Sequence, residues 1–457
     1  MTPAYTGEDW RRTNNLEPRR RFTNIMQMAP RAVPPLIPLV LSLVVSSASG
    51  ALASKGVSHG PTSSPTSKDI KKTERYELGA LPAFTFTSDI GFGFGLIGSF
   101  ARFSRGYRPY LWRLEVLWLM TLKGKPGDGG VESPYHDDYI KLDLPGLLGG
   151  RLRLNLFVGF SRYTTSGYYG FGNAAPVDKP ARDDNPRYHM VDRIYPTAAA
   201  RARVYLTERI QLLLGTSFVF NWINPYEGSL FSRDLESRDP AVCRLLRGKD
   251  HFGVFEATVG WIWDSRDHEY MPSDGSFHEI SWRASPGWAI GTDHAYGGLN
   301  LTLRFYRAIV GRYLIAAGRV MADVIVGQPP FYELSRHGGL FASDALGGSR
   351  AIRGVPLQRY HGKIKLFGNL ELRSRLLGFS LLGQRFQLGA TAFLDTGRSW
   401  AGFSGTSHLD GDGIGLKLGA GGGLRLAWGE AFMIRADIAY SPDAEPIGWY
   451  LDINHLF

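Results

Sequence analysis

Three sets of residues in this sequence are of the types that chemistry uses. His136, Asp137 and Asp138 put an imidazole beside two carboxylates, the makings of a metal site or an acid–base pair. They stand at the edge of a polar stretch with no second cluster near them in the chain, so they are read as solvated charge. Gly93-Phe94-Gly95-Leu96-Ile97-Gly98 spells the pattern that cradles dinucleotide phosphates, but no helical periodicity follows it. Most of its glycines share one face opposite Phe92, Phe94 and Leu96, as they would in a strand. The third set runs from Leu346 to Arg375. It opens with Gly347-Gly348 and Arg353-Gly354 and continues into Asn369, Glu371 and Arg373 on one face, with Leu370 and Leu372 on the other. Further back, Asp264, Arg266 and Asp267 suit a hairpin capped by internal ion pairs better than they suit catalysis. No Ser-centred nucleophile motif occurs. No catalytic residue, metal or cofactor is expected, and the chain is read as a non-enzyme.

What must position these charges is a two-faced strand, and such strands fill the chain. Leu152, Leu154, Leu156, Val158 and Phe160 oppose Arg151, Arg153, Asn155 and Ser161, while Leu299, Leu301, Leu303 and Phe305 oppose Asn300, Thr302, Arg304 and Tyr306. Leu416, Leu418, Ala420, Leu424, Leu426 and Trp428 oppose Lys417, Gly419, Gly421, Gly423 and Arg425. Sixteen such segments lie between residues 75 and 457. Many run to roughly 12–15 residues, more than the roughly 9–11 a tilted strand needs to cross a bilayer. Their connections mostly alternate long and short, the signature of outer-membrane barrels. Aromatics such as Trp112, Trp118, Tyr205, Trp222, Trp261, Trp288, Trp428 and Trp449 fall near segment ends, as interfacial girdles do. A soluble sandwich would show the alternation but not the lengths. The expected fold is therefore all-β, a transmembrane antiparallel barrel of sixteen strands in the bacterial outer membrane. Arg151, Arg153, Arg304 and Arg425 are expected to point inward, because a lipid-facing Arg at mid-membrane costs about 2–4 kcal/mol. So wide a barrel leaves an aqueous interior unless something fills it, and the long loop 327–360 is the expected filler.

Composition agrees. The 457 residues include 56 Gly and 13% aromatics, and mean hydropathy is −0.15, too low for a helical membrane bundle. Net charge is +10, of which residues 1–53, with six Arg and three acids, hold +3. No Lys/Arg block occurs beyond Arg19 to Arg21, so no nucleic-acid partner is implied. Cys243 excludes a disulfide framework within the chain. Arg31, the apolar run Leu36 to Val45 and Ala51-Leu52-Ala53 predict an export signal over 1–53, cut before Ser54, with Met26 or Met28 a more ordinary start. Residues 54–74 read as a disordered periplasmic tether, and 75–457 as the barrel.

The segment GGSRAIRGVPLQRY resembles the Val-Arg-Gly-Phe/Tyr loop of the BamA/TamA superfamily, the bacterial surface antigen family. Similar to that family too are Trp263-Asp264-Ser265-Arg266-Asp267 with Pro272 and Gly275, Gly368-Asn369-Leu370-Glu371-Leu372-Arg373, Phe393-Leu394-Asp395-Thr396-Gly397-Arg398, and Tyr168-Tyr169-Gly170-Phe171-Gly172-Asn173. The resemblance implies that Arg353, beside Gly354 at the tip of the inward loop, pairs with Glu371 on the twelfth strand and Asp395 on the thirteenth. Both carboxylates fall on the polar face of their strands, and a guanidinium can bridge the two. Ile352 and Val355 replace the family's usual Val and aromatic. The resemblance further implies assistance to outer-membrane protein assembly, insertion or translocation, with outer-membrane lipid, client barrels or periplasmic assembly factors as partners. The alternative is a passive pore or structural barrel. Family insertases carry periplasmic repeats ahead of the barrel, where this sequence has Ser54 to Arg75. Pro82 in the first strand and Phe457 in the last are expected at a weakly closed seam.

Overall fold

The computed structural model describes residues 74–457 except 105–109, 126–128, 288–292, 312, 382–383, 429–431, 445–446 and 454. The expected export signal, the tether up to Thr73, and Trp288 lie outside the described residues. The strands are β1 (Arg75–Thr87), β2 (Gly91–Phe103), β3 (Trp112–Gly124), β4 (Tyr135–Leu147), β5 (Leu152–Gly167), β6 (Met190–Ile194 continuing as Thr197–Tyr205), β7 (Ile210–Pro225) and β8 (Phe252–Asp264). They continue as β9 (Gly275–Pro286), β10 (Ala295–Val310), β11 (Leu314–Gly327), β12 (Ile364–Leu381), β13 (Gln384–Trp400), β14 (Lys417–Trp428), β15 (Phe432–Tyr440) and β16 (Gly448–Ile453). Each pairs antiparallel with the next, and β16 returns to β1, closing a sixteen-stranded barrel. The break in β6 falls at Tyr195-Pro196, where proline has no N–H to give the ladder.

Burial is inverted relative to a water-soluble sandwich. Val158, Leu299, Leu301, Leu370 and Leu424 are exposed on the outside, whereas Arg153, Arg304 and Arg425 are buried within. Only a lipid surround makes that arrangement favourable. Arg151 departs from expectation: β5 begins one residue later, and Arg151 is exposed in the turn before it.

The long connections gather at one end, which in outer-membrane barrels is the outer one. They carry four short helices, α1 (Lys179–Asp184), α2 (Leu230–Leu235), α3 (Pro240–Leu245) and α4 (Ser407–Asp410). Asp178, Ser229 and Asp239 cap the first three by accepting from backbone N–H groups. Tyr168, Phe171, Phe231, Leu245, Phe331 and Leu334 pack there as a single buried cluster drawn from several loops. His361 joins it, its rings-and-edges contacts running to Tyr168, Phe171 and Phe331. Burial, with Lys365 and Arg359 nearby, pushes the His361 pKa down to about 3, so the ring packs as a neutral group.

Candidate functional site: the inward loop and the seam

The connection between β11 and β12, residues 328–363, turns back into the lumen. Ala345, Leu346, Ala351, Ile352 and Val355 are fully buried there against Met321 of β11 and Phe367 of β12. Ile352 and Val355, where the family resemblance leads one to look for Val and an aromatic, supply that apolar anchor.

Arg353 is wholly buried. Its Nε and Nη2 donate to the two carboxylate oxygens of Asp395 at 2.8 and 2.9 Å, a fork-to-fork pairing, and its backbone N–H donates to Asp395 Oδ2 at 3.1 Å. Nη1 reaches Glu371 Oε1 at 2.8 Å and Asp437 Oδ2 of β15 at 3.3 Å. The guanidinium also lies over the Phe393 ring, 3.4 Å from its centroid. Asn369 donates to Asp395 at 2.8 Å and to the Ala351 carbonyl at 2.7 Å. The lattice extends outward from this centre. Arg373 Nε donates to Glu371 at 2.8 Å, Arg425 to Asp437 at 2.6 Å, and Arg435 to Asp452 of β16 at 2.7 Å. Every carboxylate in the set thus faces at least one guanidinium, which is the condition for keeping such charges out of water.

Three glycines make room for the loop. A Cβ on Gly419 would stand 2.1 Å from the Arg353 carbonyl oxygen, and one on Gly397 would stand 2.7 Å from both Leu346 and Phe367. Gly354 has φ +91°, a conformation that other residues rarely adopt, and its missing Cβ would meet the Tyr440 backbone at 2.9 Å.

The loop is bonded to both flanks of the barrel's closure. Gly354 N–H donates to the Tyr450 hydroxyl of β16 at 3.0 Å, and Arg435 holds the Ser349 carbonyl at 3.0 Å. On the other flank, Leu357 N–H donates to Asp89, in the turn between β1 and β2, at 3.0 Å. Between these two anchors β1 meets β16, among the described residues, at two residue pairs, Phe86 with Leu451 and Thr87 with Tyr450. Ser88 N–H to the Trp449 carbonyl, 3.2 Å, and the Thr85 hydroxyl to the Leu451 carbonyl, 2.8 Å, finish the junction. With β2, by contrast, β1 is paired along its whole length.

Pro82 sits in β1 opposite Leu96 of β2, at a height where no β16 partner occurs among the described residues. Phe457 is elsewhere than expected. The described part of β16 stops at Ile453, and Phe457 is buried against Tyr306 and Ala317 inside the barrel, with the guanidinium groups of Arg319 and Arg373 over its ring. Arg373 also donates to its backbone oxygen at 3.0 Å. The physical reason is that an aromatic ring can be satisfied equally by lipid or by stacked guanidinium groups, and Arg319 and Arg373 offer the second.

The β8–β9 hairpin holds the other charged set. Arg266 grips Asp264 with Nε and Nη2 at 2.9 and 2.8 Å, and Asp267 accepts from the N–H groups of Ser273 and Asp274 at 2.8 and 3.2 Å. Gly275 has φ +97°, and a Cβ there would lie 2.3 Å from the Ser265 carbonyl oxygen. At the outer mouth, Tyr168 and Phe171 belong to the buried cluster and Asn173 donates to the Gly415 carbonyl at 2.7 Å, tying one long loop to another. Asp137 accepts from Ser161 inside the lumen at 3.0 Å, and among the described residues no group of three or more His, Cys, Asp or Glu could hold a metal ion.

This combination of a closed barrel, an inward loop and a buried Arg353 centre coincides with a family match: residues 135–454 match the Omp85 superfamily domain. The chain belongs to the Omp85 superfamily. Among solved structures, BamA from Haemophilus ducreyi lacking POTRA domains 1-3 is similar over 84% of this chain and 70% of that one, with 12% identity and a TM-score of 0.51. CdiB from Escherichia coli is similar over 83% of this chain and 62% of that one, with 14% identity and a TM-score of 0.52. At such identities the likeness concerns the fold, and this chain spans about two thirds of those structures' length. No curated protein matches the sequence significantly. As an Omp85 barrel, the protein resides in the bacterial outer membrane. Within this Omp85 site, sequence reasoning did not single out Asp437, Arg435, Tyr450, Asp452 or Asp89. The alternation marks each strand residue among them as inward or outward, but carries no information on height within the lumen.

Proposed function

We propose that this Omp85 barrel assists the assembly, insertion or translocation of other outer-membrane proteins, working at the seam between β1 and β16 with the Arg353 loop as its brace. Client barrels and periplasmic assembly factors are the partners this reading calls for. The observation that carries it is the junction itself: two residue pairs close the barrel, and one loop is bonded on both sides of them. A passive pore has less support, because the loop fills part of the lumen and the outer mouth holds a packed aromatic cluster.

The test follows two signals from the purified chain in liposomes: the folding rate of a slow-folding client barrel and the release of a trapped dye. Accelerated client folding that disappears in Arg353→Ala supports the reading, provided heat-modifiable mobility shows the variant folded. Phe86→Cys with Leu451→Cys, in a Cys243→Ser background, keeps the loop intact and locks the register pair by a disulfide. If the locked barrel still accelerates folding, the seam is not the working part. Dye release with no folding effect leaves a pore.

A further inference from the structure

The lumen is filled unevenly, and the empty part has an unusual wall. A cavity of about 980 Å³ remains on the β1–β8 side, at the top of the size range of small-ligand sites, about 300–1,000 Å³. Leu81 of β1, Ile97 of β2, Leu117 of β3 and Tyr139 of β4 are successive register partners, so four adjacent strands set an apolar row at one height. Leu119 and Phe157 line the same cavity. These residues face inward, because their chain neighbours Leu96, Val116 and Trp118 are exposed on the lipid face. They are only half-buried, so they look onto space instead of packing against one another. An apolar row held open to water forgoes the stabilisation that burial brings.

Access decides what could cover it. The row begins on β1, and along β1 from Arg75 to Pro82 no ladder toward β16 exists among the described residues. Lipid tails outside and apolar side chains inside are therefore separated there by one unpaired strand flank. At the short-turn rim of the cavity stand Tyr270 and Arg113. Arg113 pairs with Glu115 at 3.0 Å through Nη2, while its buried Nε has no hydrogen-bond partner among the described residues. In outer-membrane barrels the short-turn ends of the strands meet the headgroup region of the bilayer. We propose that the β1–β8 chamber takes one acyl chain of a phospholipid from the surrounding bilayer, entering past the unpaired flank of β1, with the phosphate at Arg113. This goes beyond the assembly reading and stands or falls without it.

The test is short-range quenching. In a Cys243→Ser background, a bimane probe is attached at Leu117→Cys in the chamber, at Val116→Cys on the lipid face, or at Thr302→Cys, an inward position on the packed side. The full chain is reconstituted in phosphatidylethanolamine–phosphatidylglycerol vesicles with brominated acyl chains, and folding is verified by heat-modifiable mobility. The Thr302 probe sets the background for quenching through the wall. The expected result is a loss of fluorescence at Leu117 well beyond that background, reversed by Ile97→Glu while the Val116 signal stays unchanged. Quenching at Val116 with only background loss at Leu117 overturns the proposal and leaves the chamber to water or a polypeptide segment. Arg113→Gln is expected to weaken quenching at Leu117; if it does not, the phosphate contact is wrong.

Discussion

The two halves of the lumen obey the same strand alternation and use it in opposite ways. From β9 to β15 the inward positions carry Arg319, Glu371, Arg373, Asp395, Arg425 and Asp437, and the loop packs onto them without leaving space. From β1 to β8 the inner wall mixes Leu81, Ile97, Leu117 and Phe157 with Glu115, Asp137, Arg193 and Arg201, and a cavity remains. Charge in a barrel interior is neutralised strand to strand, as Arg153 is by Asp143, or by a chain segment supplied to it, as Asp395 is by Arg353. Where the loop only borders the lumen, as Ser343, Gly347 and Gln358 do along the cavity, the wall stays short of partners and open to an outside one.

The difference is sharpest if one side breaks on substitution and the other does not. Arg353→Ala leaves Asp395, Glu371 and Asp437 without their shared cation, and breaking a buried pair in this way costs about 3–5 kcal/mol. A large fall in the midpoint of thermal unfolding in detergent is expected, read as the shift of folded to unfolded mobility on a gel. Arg353→Lys should recover only part of it, since an ammonium cannot fork onto Asp395. Gly419→Val forces the Arg353 carbonyl away from β14. The expected cost is about 1–3 kcal/mol, with trypsin cutting at Arg350, Arg353 or Arg359 in the folded barrel, where the wild type resists. Phe393→Leu keeps an apolar side chain but loses the ring beneath the guanidinium, a change of about 0.5–2 kcal/mol on the same gel assay. At the other extreme, Ile97→Ala in the chamber creates no new void, because its side chain already faces one. Its effect should fall within about 0.5 kcal/mol; a loss as large as that of Phe393→Leu would show that the chamber side is packed after all.

The barrel was legible because membrane strands must alternate over a long span, and segments such as Leu152–Phe160 and Leu299–Phe305 do so without ambiguity. The inward direction of Glu371 and Asp395 follows from that alternation as well. What sets the partners of Arg353 is the stagger between strands, and Asp437 lies 84 residues beyond Arg353 in the chain. No local pattern encodes that distance. The place of Phe457 was hidden for a related reason: whether an aromatic residue meets lipid or stacked guanidinium groups depends on Arg319 and Arg373, which belong to strands far back in the sequence. The chamber, too, was partly written in the alternation, since Ile97, Leu117 and Phe157 are apolar on both faces of their strands' pattern. A two-sided apolar stretch in a barrel strand is a signal worth reading.

The bonds from Leu357 to Asp89 and from Gly354 to Tyr450 put the loop mechanically in parallel with the two-pair junction it spans. Pulling β1 from β16 loads the loop as well as the ladder, and the load is carried onward to Arg353 and from there to β12, β13 and β15. The stiffness of the narrowest joint in the wall is thereby set far from the joint, by the hold of one arginine on three carboxylates.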